Sequence, residues 1–290
     1  MKNLALLSLT LMILYSCGSV PVTGRRQLNL VSDAEVLSLS LTEYNEYIKT
    51  AKKSTNAANT AMVTNVGSRI AQAVEAYYKY AGLESELSNF AWEFTLVEDD
   101  QVNAFCMPGG KIVVYSGILP VTQNETGLAV VLGHEVGHAV AKHASERMSN
   151  QMALQYGAAG LDALLSRSSS TIRTAGQTVF GLGAQIGIMT PYNHKQELEA
   201  DFLGMVFMGI AGYSPEAALP FWERMSQLSG GSQVPAFLST HPSDATRING
   251  IRQKLPEAMD YYKAIHGNKT NTTTTPTQNT NTNTNSQWRF

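Results

Sequence analysis

The chain has 290 residues, and its 21 Lys and Arg against 23 Asp and Glu leave a net charge of -2, without the basic excess of a nucleic-acid binder. A hydrophobic share of 43% supports a packed core and excludes global disorder. The two cysteines, Cys17 and Cys106, exclude a disulfide scaffold and a zinc module built on Cys-x-x-Cys pairs.

The first element is an address. Lys2 supplies one positive charge, and Leu4 to Leu14 runs without charge. That run is too short for a helix across a bilayer, which takes about 20 residues, and it fits the apolar part of a secretory signal. The following Leu14-Tyr15-Ser16-Cys17 resembles the lipobox of bacterial lipoproteins. The resemblance implies a signal peptide over 1–16, lipidation at Cys17 and an anchor and linker over 17–31. Gly18, not Asp, follows the cysteine, which by analogy favours the outer membrane, facing the periplasm. Lipidated, Cys17 leaves Cys106 without an intramolecular partner.

Ser32-Asp33-Ala34-Glu35 is a capping-box pattern and predicts a helix towards Lys49. Met62, Val63, Val66, Ile70, Ala73, Val74 and Tyr77 have helical spacing, so Asn59 to Tyr80 is a second helix. Phe90 to Val97 and Lys111 to Tyr115 read as strands. Asn103 to Met107 is a further extended piece, stopped by Pro108-Gly109-Gly110. Helices are predicted over Asn124 to Lys142, Ser145 to Leu165, His194 to Gly209, Ser214 to Leu228 and Ser243 to Lys254. Ser166 to Ser170 interrupts, and Ala175 to Met189 reads as a packed helix or flap, too short to span a membrane. Residues 267–290, dominated by Asn and Thr, lack large apolar side chains over most of their length and read as a disordered tail.

The chemistry lies in His134-Glu135-Val136-Gly137-His138, an H-E-x-x-H pattern in an apolar helical context. Residues four apart share a helix face, so both imidazoles reach one metal ion and Glu135 sits beside its open position. Gly133 and Gly137 each weaken the helix by up to about 1 kcal/mol, which points to a close neighbour. A catalytic zinc takes three protein ligands. Glu197 and Asp201, also four apart, offer a carboxylate ligand and a carboxylate to orient a ligand histidine. Glu199 between them is expected to point away into solvent.

With these segments in place, the chain resembles peptidase family M48, the zinc gluzincins that include the heat-shock protease HtpX and the CAAX prenyl protease, and within it the lipid-anchored periplasmic bacterial branch. VPVTGRRQLNLVS, VNAFCMPGGKIVVYSGIL, LGHEVGHAVAKH, QELEAD and THPSDATRI carry the resemblance. It implies a mainly α (α+β), zincin-like metalloprotease domain over 32–266, with a small β-sheet whose edge strand flanks the zinc site. It implies one Zn2+ per chain held by His134, His138 and Glu197, Glu135 as catalytic base and Asp201 behind the ligands. Asn103, entering the edge strand, is a candidate donor towards the substrate or oxyanion. His241 is either an oxyanion donor or a fourth zinc ligand that holds the enzyme off. Arg247 either orients that loop or the substrate, or makes a surface salt bridge. Where the family often has Ser-Arg, this chain has Asn193-His194, and His194 is either a surface residue or an extra polar group near the site. Cys106 reads as a small buried residue.

The expected function is a zinc metalloendopeptidase acting on unfolded or misassembled cell-envelope proteins. A second reading is a chaperone-like factor that works with the outer-membrane assembly machinery and keeps a latent protease site. A third, a lipid-anchored binding module with a structural metal, is disfavoured by Glu135, since a structural site needs no carboxylate beside an open position.

Overall fold

In the computed structural model, the described residues are 17–156, 170, 172, 174, 192–228 and 234–267. The predicted signal peptide, the predicted helix over Ala175 to Met189, most of the serine-rich interruption and nearly all of the predicted tail lie outside them.

A hairpin opens the fold. Strand β1 (Cys17–Ser19) pairs antiparallel with β2 (Arg26–Leu28), and Gly24 takes φ +67° in the turn between them. The segment expected as a linker is therefore paired structure, and its Val20 and Gln27 are buried. Helix α1 (Asp33–Thr50) starts on the predicted capping box, with the Ser32 side chain accepting from the Glu35 N–H. Helix α2 (Ala57–Tyr80) is capped by Asn56 and buries Val63, Val66, Ile70 and Val74 on one face.

A three-stranded sheet follows, made of β3 (Glu93–Val97), β4 (Ala104–Met107) and β5 (Lys111–Tyr115) in the order β3-β5-β4. β3 runs parallel to β5 and β4 antiparallel to it, so β4 is an edge. Successive residues of a strand point to opposite faces. Ile112 and Val114 of β5 accordingly join the core formed with α2, while Val113 and Tyr115 join a second core with Val36 and Tyr44 of α1.

Helices α3 (Glu125–Val140) and α4 (His143–Tyr156) come next, separated by Lys142 at φ +55°. Then follow α5 (His194–Ile210), α6 (Ala218–Leu228), α7 (Ala236–Thr240) and α8 (Ala245–His266). α7 has no counterpart in the sequence expectations, and α8 runs a further three turns beyond Lys254. α3 is buried along nearly its whole length, and so is α5. No helix of the described residues is long and apolar enough to cross a membrane.

α3 and α5 touch backbone to backbone. A Cβ added at Gly133 would lie 2.8 Å from the Gly204 carbonyl oxygen, and one added at Gly137 would lie 2.7 Å from that of Ala200. These two glycines are the helix-weakening pair flagged by the sequence, and the close neighbour is the helix that bears Glu197 and Asp201. Alanine is the better helix former by about 1 kcal/mol. At Gly133 the overpacking, typically about 1–3 kcal/mol, outweighs that gain. Gly133→Ala is therefore expected to lower the urea midpoint, and a midpoint at or above the parent value would contradict the close approach.

Candidate metal centre

His134 and His138 lie one helical turn apart on α3, and Glu197 faces them from α5. Asn193 caps α5 and Gln196 closes the capping box, which fixes the first turn of the helix where Glu197 sits. His241 follows the short helix α7, which is pinned at its start by a hydrogen bond from the Phe237 N–H to the Val102 carbonyl, 3.0 Å. The His241 N–H in turn donates to the Phe237 carbonyl at 2.8 Å, and the two rings stack at 4.5 Å.

These four side chains each bring one donor atom into a group in which all lie within 4.8 Å of one another, and all four residues are buried. His134 Nε2 lies 3.0 Å from His138 Nε2 and 3.1 Å from His241 Nδ1. Glu197 Oε1 lies 3.3 Å from His138 Nε2 and 3.1 Å from His241 Nδ1, and its Oε2 is 3.5 Å from His134 Nε2. A tetrahedral ion with bonds of 2.0–2.1 Å sets its ligand atoms about 3.3–3.4 Å apart. The donor set thus has the spacing, the imidazole and carboxylate chemistry and the burial that such an ion needs.

The charges fit as well. Glu135, Glu197 and Asp201 are buried carboxylates, and Arg247, 0% exposed, is the buried guanidinium beside them. A divalent ion brings that group to neutrality. Glu135 Oε1 is buried without a hydrogen-bond partner, and burial pushes the Glu135 carboxyl up to about 7. The Cys106 backbone, on the edge strand β4, acts against that rise and favours the ionised form. Burial pushes His134 down to about 4 and His138 well below the ordinary histidine value, so both present lone pairs. Burial opposes ionisation of Glu197 and Asp201 too, but chiefly the Arg247 charge overrides it and keeps both below the usual carboxylate range.

Asp201 and Arg247 frame the cluster from behind. Asp201 Oδ1 lies 2.8 Å from His134 Nδ1, so the ring hydrogen sits there and Nε2 faces the donor group. Arg247 grips Asp201 with Nε at 2.7 Å and Nη2 at 2.8 Å, and its Nη1 lies against Glu197 Oε2. Nη1 also donates to the carbonyls of His241 and Pro242 at 3.2 and 3.1 Å, which ties down the loop. The guanidinium stacks 3.5 Å over the Trp222 ring. Of the readings of Arg247, the surface salt bridge is excluded by its burial.

Asn103 is buried at the entry to β4, and its carbonyl accepts from the Tyr115 N–H at 3.1 Å. His194 is exposed at the first position of α5. Cys106 is buried, and burial pushes its thiol well above the ordinary value, which makes it a poor nucleophile. Glu199 is not solvated as expected: it is buried and hydrogen-bonded to His143 at 2.9 Å. Sequence reasoning also missed Tyr192, whose ring stacks on His138 at 3.9 Å, and Trp222 and Phe237 around His134. No spacing marks these three aromatics, which reach the site from separate segments.

Removing one partner of a buried ion pair leaves an uncompensated charge and costs about 3–5 kcal/mol. Arg247→Met, which keeps the volume of the stem, is expected to destabilise the fold by that amount in chemical denaturation; a loss below about 1 kcal/mol, the worth of an exposed pair, would contradict the buried arrangement.

The model of peptidase family M48 matches residues 64–255. Among curated relatives, the mitochondrial metalloendopeptidase OMA1 of Schizosaccharomyces pombe is 38% identical over 176 residues, which are 60% of this chain and 50% of that protein. The human mitochondrial metalloendopeptidase OMA1 is 28% identical over 246 residues, 82% of this chain and 46% of that protein. The beta-barrel assembly-enhancing protease of Yersinia pestis is 33% identical over 168 residues, 56% of this chain and 34% of that protein. The chain thus spans about half or less of the length of these relatives. With a family match covering well over half of its residues and the H-E-x-x-H helix at the centre of the donor cluster, the chain belongs to peptidase family M48.

Proposed function

We propose that the protein is a zinc-dependent metalloendopeptidase. The observation that carries this reading is the convergence of His134, His138 and Glu197 on one point with the Glu135 carboxylate beside it. A zinc ion bound there supplies Lewis acidity that polarises the scissile carbonyl and acidifies water.

The chain's own residues do the rest. Glu135, poised near neutrality by burial, takes a proton from the attacking water and returns it to the leaving amine. The edge strand β4 offers main-chain groups to an extended substrate, and such pairing selects little by side chain. That suits unfolded proteins. We assign Asp201 and Arg247 to orienting His134 and holding the His241 loop, and Asn103, at the entry of β4, to donating towards the substrate or the oxyanion.

His241 Nδ1 fills the fourth corner of the donor set, and this supports a site that rests closed. The same feature favours the second reading, a chaperone-like assembly factor whose protease is latent. The beta-barrel assembly-enhancing proteases among the relatives support a role at the cell envelope, and a lipid on Cys17 would hold the domain at that membrane. The domain division proposed here is a signal over 1–16, the anchored hairpin segment over 17–31, the protease over 32–266 and a tail beyond it.

The test is cleavage of casein by the zinc-loaded protein. Glu135→Gln is expected to lower the rate about 10²–10⁴-fold with zinc still bound, the worth of a general base. Equal cleavage by parent and variant would overturn the assignment of Glu135. His241→Ala is expected to raise cleavage by vacating the fourth corner. A fall of about 10²–10³-fold would instead mark His241 as a donor to the oxyanion.

A further inference from the structure

The two ligand histidines are supported differently. His134 is backed directly by Asp201, whereas His138 Nδ1 lies 2.8 Å from His143 Nδ1. His143 is fully buried at the start of α4, brought back towards His138 by the left-handed turn at Lys142. Its other nitrogen, Nε2, lies 2.9 Å from Glu199 Oε2. Glu199 is held from the far side by the hairpin. Arg25 Nε donates to Glu199 Oε2 at 2.6 Å, and the Thr23 hydroxyl donates to Glu199 Oε1. Arg25 is itself fixed by a bidentate pair with Glu146 of α4, 2.8 Å at each oxygen, and Gln196 donates to the same Glu146 at 2.7 Å.

Hydrogen-bond bookkeeping gives this chain a direction. Two ring nitrogens at 2.8 Å share one hydrogen. Glu199 as a carboxylate only accepts, so the hydrogen of His143 sits on Nε2. His143 Nδ1 is then the acceptor, and the hydrogen of His138 must sit on Nδ1. That leaves the His138 Nε2 lone pair facing the donor cluster, the form a metal ligand requires. Three alternate residues of α5 thereby divide the work. Glu197 enters the cluster, Asp201 orients His134, and Glu199, on the opposite face of the helix, orients His138 through His143.

We propose that Thr23, Arg25, Glu199 and His143 form a positioning relay for His138, so that the docked N-terminal hairpin is a working part of the metal centre. The proposal rests on the reading of that centre as a zinc site. It ties the segment next to Cys17 to the geometry of a ligand on α3. Lifting the hairpin removes both hairpin donors to Glu199 at once.

Two variants test the relay in the full chain, with Arg252→Ala as control, since the contacts of Arg252 with Glu223 and Asn249 are exposed and far from the relay residues in sequence. Glu199→Gln keeps the size of the side chain but replaces the obligate acceptor. Arg25→Ala removes the hairpin donor. Each is refolded metal-free, checked for native circular dichroism, titrated with zinc against a chromophoric chelator, and examined by visible absorption at saturating cobalt. Loss of such an outer partner typically weakens metal binding about 10–100-fold. Glu199→Gln is expected to show that loss together with a shifted cobalt band, and Arg25→Ala a smaller change in the same direction; Arg252→Ala stays at the parent values. Parent-like affinity and cobalt band in Glu199→Gln would overturn the relay. So would weaker binding with an unchanged cobalt band, the mark of general loosening. A parent protein that binds no zinc would take the proposed centre and the relay down together, whereas a parent that binds zinc and cleaves casein beside unaffected variants would remove the relay alone.

Discussion

The backbone-to-backbone contact of α3 and α5 is the constraint on which the rest depends. Gly133 meets Gly204 and Gly137 meets Ala200 with no room for a Cβ at either glycine of α3. At that distance a histidine one turn along α3 and a carboxylate one turn along α5 reach the same point. The contact also excludes water, so His134, Glu135, His138, Glu197 and Asp201 are all buried. Burial of that many polar groups is tolerable only where each is paired or awaits an ion.

Arg247 answers most of that demand. It reaches across from α8 to bind Asp201 through two nitrogens, lies against Glu197, and holds the His241 loop by two carbonyls. Lysine could not do this, since one ammonium cannot span two carboxylates and stack on Trp222 together. The remaining negative charge is what a divalent ion would neutralise. The high proton affinity of Glu135, from burial first and from its neighbour Glu197, follows from the same excess. A buried carboxyl whose proton affinity is raised to near neutrality beside the donor cluster is suited to moving a proton in both directions.

Much of this was legible in the sequence because it is written in helical spacing. His134 and His138, and Glu197 and Asp201, are pairs four apart, and two glycines inside an apolar helix announced a close neighbour. The strands of the sheet were legible from alternation and the Pro108-Gly109-Gly110 turn, whereas the edge position of β4 was implied only by the family resemblance. The misreading of Glu199 is instructive. Its position two residues from Glu197 does turn it away from the donor cluster, but the opposite face of α5 is covered by α4 and by the hairpin, so it points into a second polar cluster and not into water. A linear reading assigns a helix two faces and has no means to see that both are covered. The hairpin was read as a linker because strands of three residues give too little alternation to recognise. α7 is one turn long and without a capping side chain, so the placement of His241 beside the cluster depended on Phe237 and Val102, residues with no pattern in common.

The central claim, a tetrahedral donor set assembled by the contact of two helices and closed by His241, is tested most directly by zinc-edge X-ray absorption of the resting, zinc-loaded protein. The account predicts four nitrogen and oxygen neighbours at about 2.0–2.1 Å with the multiple-scattering signature of three imidazoles. A sulfur neighbour at about 2.3 Å, or a spectrum with fewer than three imidazoles, would contradict it.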